Sequence, residues 1–112
     1  MDTVRALGAF SALSQDIRLS IFRLLMKTGS AGLPAVNISG QLDILPNTFS
    51  SHLAILTRAG LLSAERHGRH IRYTANTACI RDLIAFLVRD CCDGRPEVCD
   101  PLFRPTKENE NL

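Results

Sequence analysis

Between Leu45 and Ala75 the hydrophobic period of the chain changes part-way along, and few folds accommodate both halves. Phe49, Leu53 and Leu56 recur at helical spacing. Pro46 suits the first helical position, where its missing N–H costs little, and Ala59-Gly60 closes the helix. Directly afterwards, Leu61 to Arg66 and Ile71 to Tyr73 are strand-like, joined by His67-Gly68-Arg69-His70 as a hairpin tip. A helix with a polar outer side must therefore run straight into a small hairpin that carries arginines.

The remaining segments are helical. Helix one is expected over roughly Asp2 to Ala12, with Val4, Leu7 and Phe10 as its apolar positions. Ser14 is the expected cap of helix two, which runs to about Lys27 with Ile17, Ile21, Leu24 and Leu25 on one side and Gly29 as its stop. A loop through Gly32 and Pro34 leads to a short third helix, Ala35 to Leu42. The last helix starts at Asn76 or Thr77 and reaches about Cys92, with Gly94 and Pro96 forbidding its continuation. Ile80, Leu83, Ile84, Phe86, Leu87 and Val88 spread over about half of that helix's circumference. One small domain cannot cover so wide an apolar face, so a second copy is expected on it, with helix one as the other contributor. The fold class is mainly α with a small β-hairpin, a winged helix-turn-helix paired through its first and last helices.

Composition agrees with one modest domain. The 112 residues are 46% hydrophobic and 21% charged, with only 5% aromatic, so Leu, Ile, Val and Ala must build the core. No apolar run approaches the roughly 18 residues of a membrane span, and the first twenty residues lack a secretory signal, so a cytoplasmic location without membrane contact is expected. Residues 1–100 are read as the DNA-binding and dimerisation domain, and residues 101–112 as a polar, flexible tail.

Net charge is only +2, but its placement is uneven. Arg58, Arg66, Arg69 and Arg72, with His52, His67 and His70, face Glu65 alone across the helix-and-hairpin stretch, whereas acidic residues dominate after Arg89. Asn47, Ser51 and Arg58 lie opposite the Phe49–Leu53–Leu56 stripe, accompanied by Thr48 and Ser50. Asn, Ser, Thr and Arg are the side chains that bond base edges and phosphates in the major groove. The candidate DNA-contacting set is thus Asn47, Thr48, Ser50, Ser51, His52 and Arg58, with Arg66, Arg69 and Arg72 on or beside the wing for phosphates or the minor groove. His52 borders the buried stripe, so a hydrogen-bonded structural role and a DNA contact stand equally open. The partner is double-stranded DNA, for which no cofactor is required.

The run RDCCDGRPEVCD carries the second constellation. Adjacent cysteines scarcely pair with each other, and in the cytosol clustered thiols are metal-binding or redox-active rather than a disulfide frame. Cys91 and Cys92 end the last helix, and Gly94 and Pro96 turn the chain so that Cys99 can return toward them. Thiolates select soft or borderline ions, which makes the trio a candidate trap for one. Cys79, a dozen residues back on the same helix, is expected to be a small buried hydrophobe.

The segment TFSSHLAILTRAGLLSAERHGRHIRYTA (Thr48 to Ala75) resembles the ArsR/SmtB family of dimeric metal-responsive repressors, in its T-x-S-x-H-L-x-x-L-x-x-A-G-L followed by R-x-G-R-x-x-x-Y. ALSQDIRLSIFRLL fits the family's A-L-x-x-x-x-R-x-x-I-x-x-x-L opening, so the likeness runs from Phe10 through the last helix. It implies a homodimeric repressor that leaves its operator when an inducer binds. Members with a Cys-x-Cys box carry it on the third helix, which here reads AVNISGQL and has no thiol. Zinc-sensing members use Asp and His on the last helix, which here has Asp82 but no His. The resemblance is instead to the arsenic-responsive subgroup with cysteines at the end of the last helix. It implies that Cys91, Cys92 and Cys99 hold trivalent arsenic, or antimony, in a three-sulfur pyramid. Two other regulators remain open on the same scaffold: a thiol redox sensor pairing Cys99 with Cys91 or Cys92, and a sensor of another soft ion such as cadmium. A thiol enzyme would need a Gly-rich or Cys-x5-Arg oxyanion loop, and none occurs.

Overall fold

The computed structural model describes residues 1–91. Five α-helices and three short strands follow one another as α1 (Thr3–Leu13), α2 (Asp16–Thr28), a 3-10 turn (Gly29–Ala31), β1 (Leu33–Pro34), α3 (Ala35–Leu42), α4 (Pro46–Arg58), β2 (Leu62–His67), β3 (His70–Ala75) and α5 (Thr77–Cys91). Cys92, Cys99 and the expected tail at residues 101–112 lie outside the described residues.

Each helix boundary has a local cause. Asp2 caps α1, its carboxylate accepting from the Arg5 N–H at 2.8 Å, which supplies one of the acceptors a helix start lacks. At α2 the cap is Gln15, whose Oε1 accepts from the Arg18 N–H, and not Ser14. Ser14 instead ends α1, with both its N–H and its hydroxyl bonded to the Ser11 carbonyl. The reason is the tightness of the corner: Ser14 is still committed to the preceding helix when the next one starts. Gly29 stops α2 at φ 76°, a conformation that costs glycine little. Asp43, at φ 54°, ends α3 in the left-handed region, which Asp tolerates better than most side chains. It turns the chain from α3 into α4, and Pro46 opens α4 at the first turn as expected.

The hairpin is part of a three-stranded antiparallel sheet, ordered β1-β3-β2. Leu33 pairs with Tyr73 and Pro34 with Arg72, so the segment read from sequence as a loop contributes an edge strand. Two residues are too few to show a period, which is why the pattern was silent there. Pro34 is tolerated because an edge strand has one free side. The hairpin strands also run slightly longer than their apolar residues suggest, and the connection tightens to Gly68-Arg69, with His67 paired to His70.

The core gathers where α2, α3 and α4 meet the base of the hairpin, around the fully buried Ile21, Leu25, Ile38, Leu56 and Leu61. Phe49, Leu53 and Leu56 are all buried, as the α4 stripe requires. Helix α1 joins this core through the buried Ala6, Ala9 and Ala12, with Leu13 half-buried against it at the helix end, and not through Val4, Leu7 and Phe10. Val4, Leu7 and Phe10 are instead exposed by 79%, 62% and 37%. Small residues on the inner side let α1 lie close to α2 and α4, so its large side chains are left pointing elsewhere. On α5, which packs beside α1, Cys79 and Leu83 face the core while Ile84 and Leu87 remain exposed.

Candidate nucleic-acid interface and thiol cluster

Helix α4 is held from behind by its buried stripe, so its other side is presented to solvent. Asn47, Thr48, Ser50, Ser51 and Arg58 are all exposed there, in agreement with their wheel positions. Thr48 spends its hydroxyl on the Leu45 carbonyl at 3.3 Å, bridging the start of the helix. Together α3, the Asp43 turn and α4 form a helix-turn-helix, and β2–β3 stand beside it as the wing.

The wing places Arg66 on β2 and Arg69 in its turn, both exposed. Arg72 has another occupation. Its Nη1 donates to the carbonyls of Ala31 and Gly32, at 3.1 and 3.2 Å, clamping the 3-10 turn to β3. Glu65, the acid within this basic stretch, lies across from Arg72 in register and 3.6 Å from His67, on an exposed surface where such contacts contribute little.

His52 is half-buried between the two sides of α4. Its Nδ1 lies 3.3 Å from Nη1 of Arg18 on α2. This partner escaped sequence reasoning, although Arg18 is the arginine of the A-L-x-x-x-x-R-x-x-I-x-x-x-L opening; thirty-four positions separate the two residues, and no local pattern joins them.

Among the cysteines, Cys79 is buried at 6% exposure and free. Burial pushes its thiol above the ordinary range; the nearby Arg5 guanidinium pulls it back in part, and Asp82 pushes further the same way. Its expected role as a small core residue is therefore met. Helix α5 carries the backbone as far as Cys91, beside α1, while Cys92 and Cys99 lie outside the described residues. Among the described residues no group of three His, Cys, Asp or Glu side chains could hold a metal ion, and no helix is long and apolar enough to cross a membrane.

A family model for a helix-turn-helix domain matches residues 13–63, the span from the end of α1 to the start of β2. An uncharacterized HTH-type transcriptional regulator of Bacillus subtilis, YbzH, is 32% identical over 90 residues, covering 70% of this chain and 90% of the relative. The chain belongs to the HTH-type transcriptional regulators. A second Bacillus subtilis relative of this regulator, the transcriptional repressor SdpR, is 33% identical over 81 residues, which are 72% of this chain and 87% of that one. Among solved structures, an ArsR-like transcriptional regulator from Rhodococcus matches with TM-score 0.72 and 26% identity, over 87% of this chain and 89% of that one. The antimony-specific transcriptional repressor AntR shares the fold of the regulator, with TM-score 0.57 and 23% identity over 80% of each chain. The regulator is thus a winged helix-turn-helix protein whose structural neighbours include ArsR-family regulators.

Proposed function

We propose that this regulator is a homodimeric repressor that occupies double-stranded operator DNA and releases it when trivalent arsenic, or antimony, binds the thiolates of Cys91, Cys92 and Cys99. The observation that carries the DNA half is the exposed polar side of α4, Asn47 to Arg58, flanked by the exposed Arg66 and Arg69 of the wing. A helix of this composition offers hydrogen bonds to base edges, and the wing adds charge for phosphates. SdpR, a relative at 33% identity, is a transcriptional repressor, which agrees with repression as the mode of action.

Dimerisation follows from the apolar surface that α1 and α5 leave uncovered, with Val4, Leu7, Phe10, Ile84 and Leu87 all exposed. Large apolar residues left exposed on two helices that pack together suit an interface with a second copy. Two copies joined there present two α4 helices to two half-sites about one DNA turn apart.

The metalloid half rests on the donor set. Three thiolates suit a soft trivalent ion, and Cys91 ends the helix assigned to the interface, with Cys92 and Cys99 following it in sequence. AntR, which shares the fold, is an antimony-specific repressor, and this supports the same ligand class. Binding there would reorder the end of α5 and change the angle between the two subunits, so the paired α4 helices lose register with the operator. Release requires the ligand to favour the DNA-free arrangement, typically by about 1–3 kcal/mol of coupling. The test is a DNA-release titration with arsenite, antimonite, cadmium and zinc, under reductant, on the parent and on single Cys→Ser variants. Release by arsenite or antimonite that disappears in Cys91→Ser, Cys92→Ser and Cys99→Ser supports the proposal. Release by peroxide alone, abolished by reductant, would establish the redox sensor instead, and loss of response in Cys79→Ser would relocate the site.

A further inference from the structure

We propose that Arg18 is a positioning residue for DNA binding: it fixes His52 of α4 in one neutral tautomer and ties that helix to the end of α1. The inference rests on the DNA reading proposed above and adds a residue that neither the α4 surface nor the wing contains.

Arg18 stands in the first turn of α2, half-buried, with its own N–H taken by the Gln15 cap at 2.9 Å. Its guanidinium then reaches in two directions. Toward α1, Nε donates to the Ala12 carbonyl at 2.7 Å and Nη2 to the Ser11 carbonyl at 3.5 Å. Toward α4, Nη1 meets Nδ1 of His52 at 3.3 Å. The Ser11 and Ala12 carbonyls both belong to the last turn of α1. That of Ser11 also accepts from the N–H and hydroxyl of Ser14, that of Ala12 lies where helical partners run out, and a cation at that end complements the helix dipole. One side chain therefore joins α1, α2 and α4.

The chemistry of the pair decides the state of the imidazole. A guanidinium has donors and no acceptor, and it keeps its charge. Nδ1 of His52 must then be the ring atom with the lone pair, which puts the ring proton on Nε2. An imidazole held this way has one N–H left to donate, on a helix whose neighbouring Thr48 and Ser51 are exposed. A phosphate oxygen is the acceptor that suits it in a DNA complex. The same bond adds a polar tie between the α1–α2 corner and α4, whose rotation is set by its buried stripe. Because α1 also carries the exposed Leu7 and Phe10, Arg18 connects the apolar face to the reading helix through a single charged group.

Two measurements on the full-length chain test this. Nitrogen NMR of the His52 ring, recorded without DNA in mildly alkaline buffer, is expected to show Nδ1 unprotonated and Nε2 protonated, and this bias is expected to vanish in Arg18→Met. A parent ring with Nδ1 protonated overturns the proposal. The second measurement is affinity for a duplex selected by the parent chain from a random pool. Arg18→Met and His52→Leu are each expected to weaken binding about tenfold, the scale of one charge-assisted hydrogen bond, and together to cost little more than either alone. His52→Gln is expected to rescue His52→Leu, because an amide can accept from Arg18 and still donate outward. If Arg18→Met does not fold, the His52→Leu and His52→Gln comparison decides, and equal affinity of both with the parent overturns the positioning role. A parent that selects no duplex sinks the repressor reading and the positioning role with it, while the ring measurement still reports whether Arg18 sets the tautomer.

Discussion

Cys79 is the one cysteine whose surroundings among the described residues settle its chemistry. It lies on the inner side of α5, near its start, and burial holds its thiol above the ordinary range. A folded-state value above the unfolded one means that the native chain keeps its proton longer, so this contribution to stability is complete at neutral pH and declines as pH rises through the thiol range. Denaturant midpoints are therefore expected to fall more steeply between neutral and alkaline pH in the parent than in Cys79→Ala, while reaction with an aromatic disulfide stays slow at Cys79 until the chain unfolds. Gly32 supplies the second prediction at this scale. At φ 66° it lies where a side chain is strained, and a Cβ would come within 2.6 Å of the Tyr73 carbonyl oxygen and 2.7 Å of the Thr74 methyl. The backbone strain of Gly32→Ala alone costs on the order of 1–3 kcal/mol, and the clash adds to it, because β1 and β3 meet there and cannot both give way. Equilibrium unfolding against the parent checks this, and an unchanged midpoint would refute the close approach.

At the scale of elements, the proposed DNA complex divides the labour of contact between α4 and the wing. Side chains on α4 that reach base edges discriminate among sequences, whereas wing arginines act on charge and do not. Asn47→Ala or Ser51→Ala is expected to change the ranking of related duplexes, by about 1–3 kcal/mol at the affected base pair. Arg66→Ala and Arg69→Ala are expected to weaken all duplexes alike and to lower the salt slope of log affinity by about 0.9 for each phosphate contact removed. Arg72→Ala is expected to behave differently from both, because its guanidinium clamps the Ala31 and Gly32 carbonyls. Its loss should lower the unfolding midpoint, and a purely electrostatic change in DNA affinity with no loss of stability would show that the clamp is dispensable.

For the whole molecule the decisive surface is the one α1 and α5 leave bare. Leu7→Glu and Leu87→Glu place a charge on residues exposed by 62% and 47% in the single chain, so neither should disturb the core. Both are expected to convert a dimer into a folded monomer in sedimentation equilibrium, and to lose most of the DNA affinity because each subunit then holds one half-site. A dimer that survives both changes would move the interface elsewhere.

Much of this arrangement was determined by sequence alone. The period of Phe49, Leu53 and Leu56 defined α4 and its outward residues, Pro46 and Gly29 marked helix limits, and the paired strand-like runs announced a hairpin, because each of these signals is local and acts within a few residues. Cys91, Cys92 and Cys99 are neighbours along the chain, but the last two lie outside the described residues, so their meeting belongs to the proposal. What tertiary structure decided is which side of each element faces inward and which distant groups meet. Apolar residues on α1 could have faced the core or a partner, and only packing against α2 and α4 shows that three alanines take the inner side. The two-residue β1 has no period to read, and it is a strand only because β3 lies beside it. Arg18 and His52 sit far apart in sequence, and their contact exists only where the α1–α2 corner packs against α4, since a hydrogen bond depends on distance and angle in space and leaves no periodic trace in the chain.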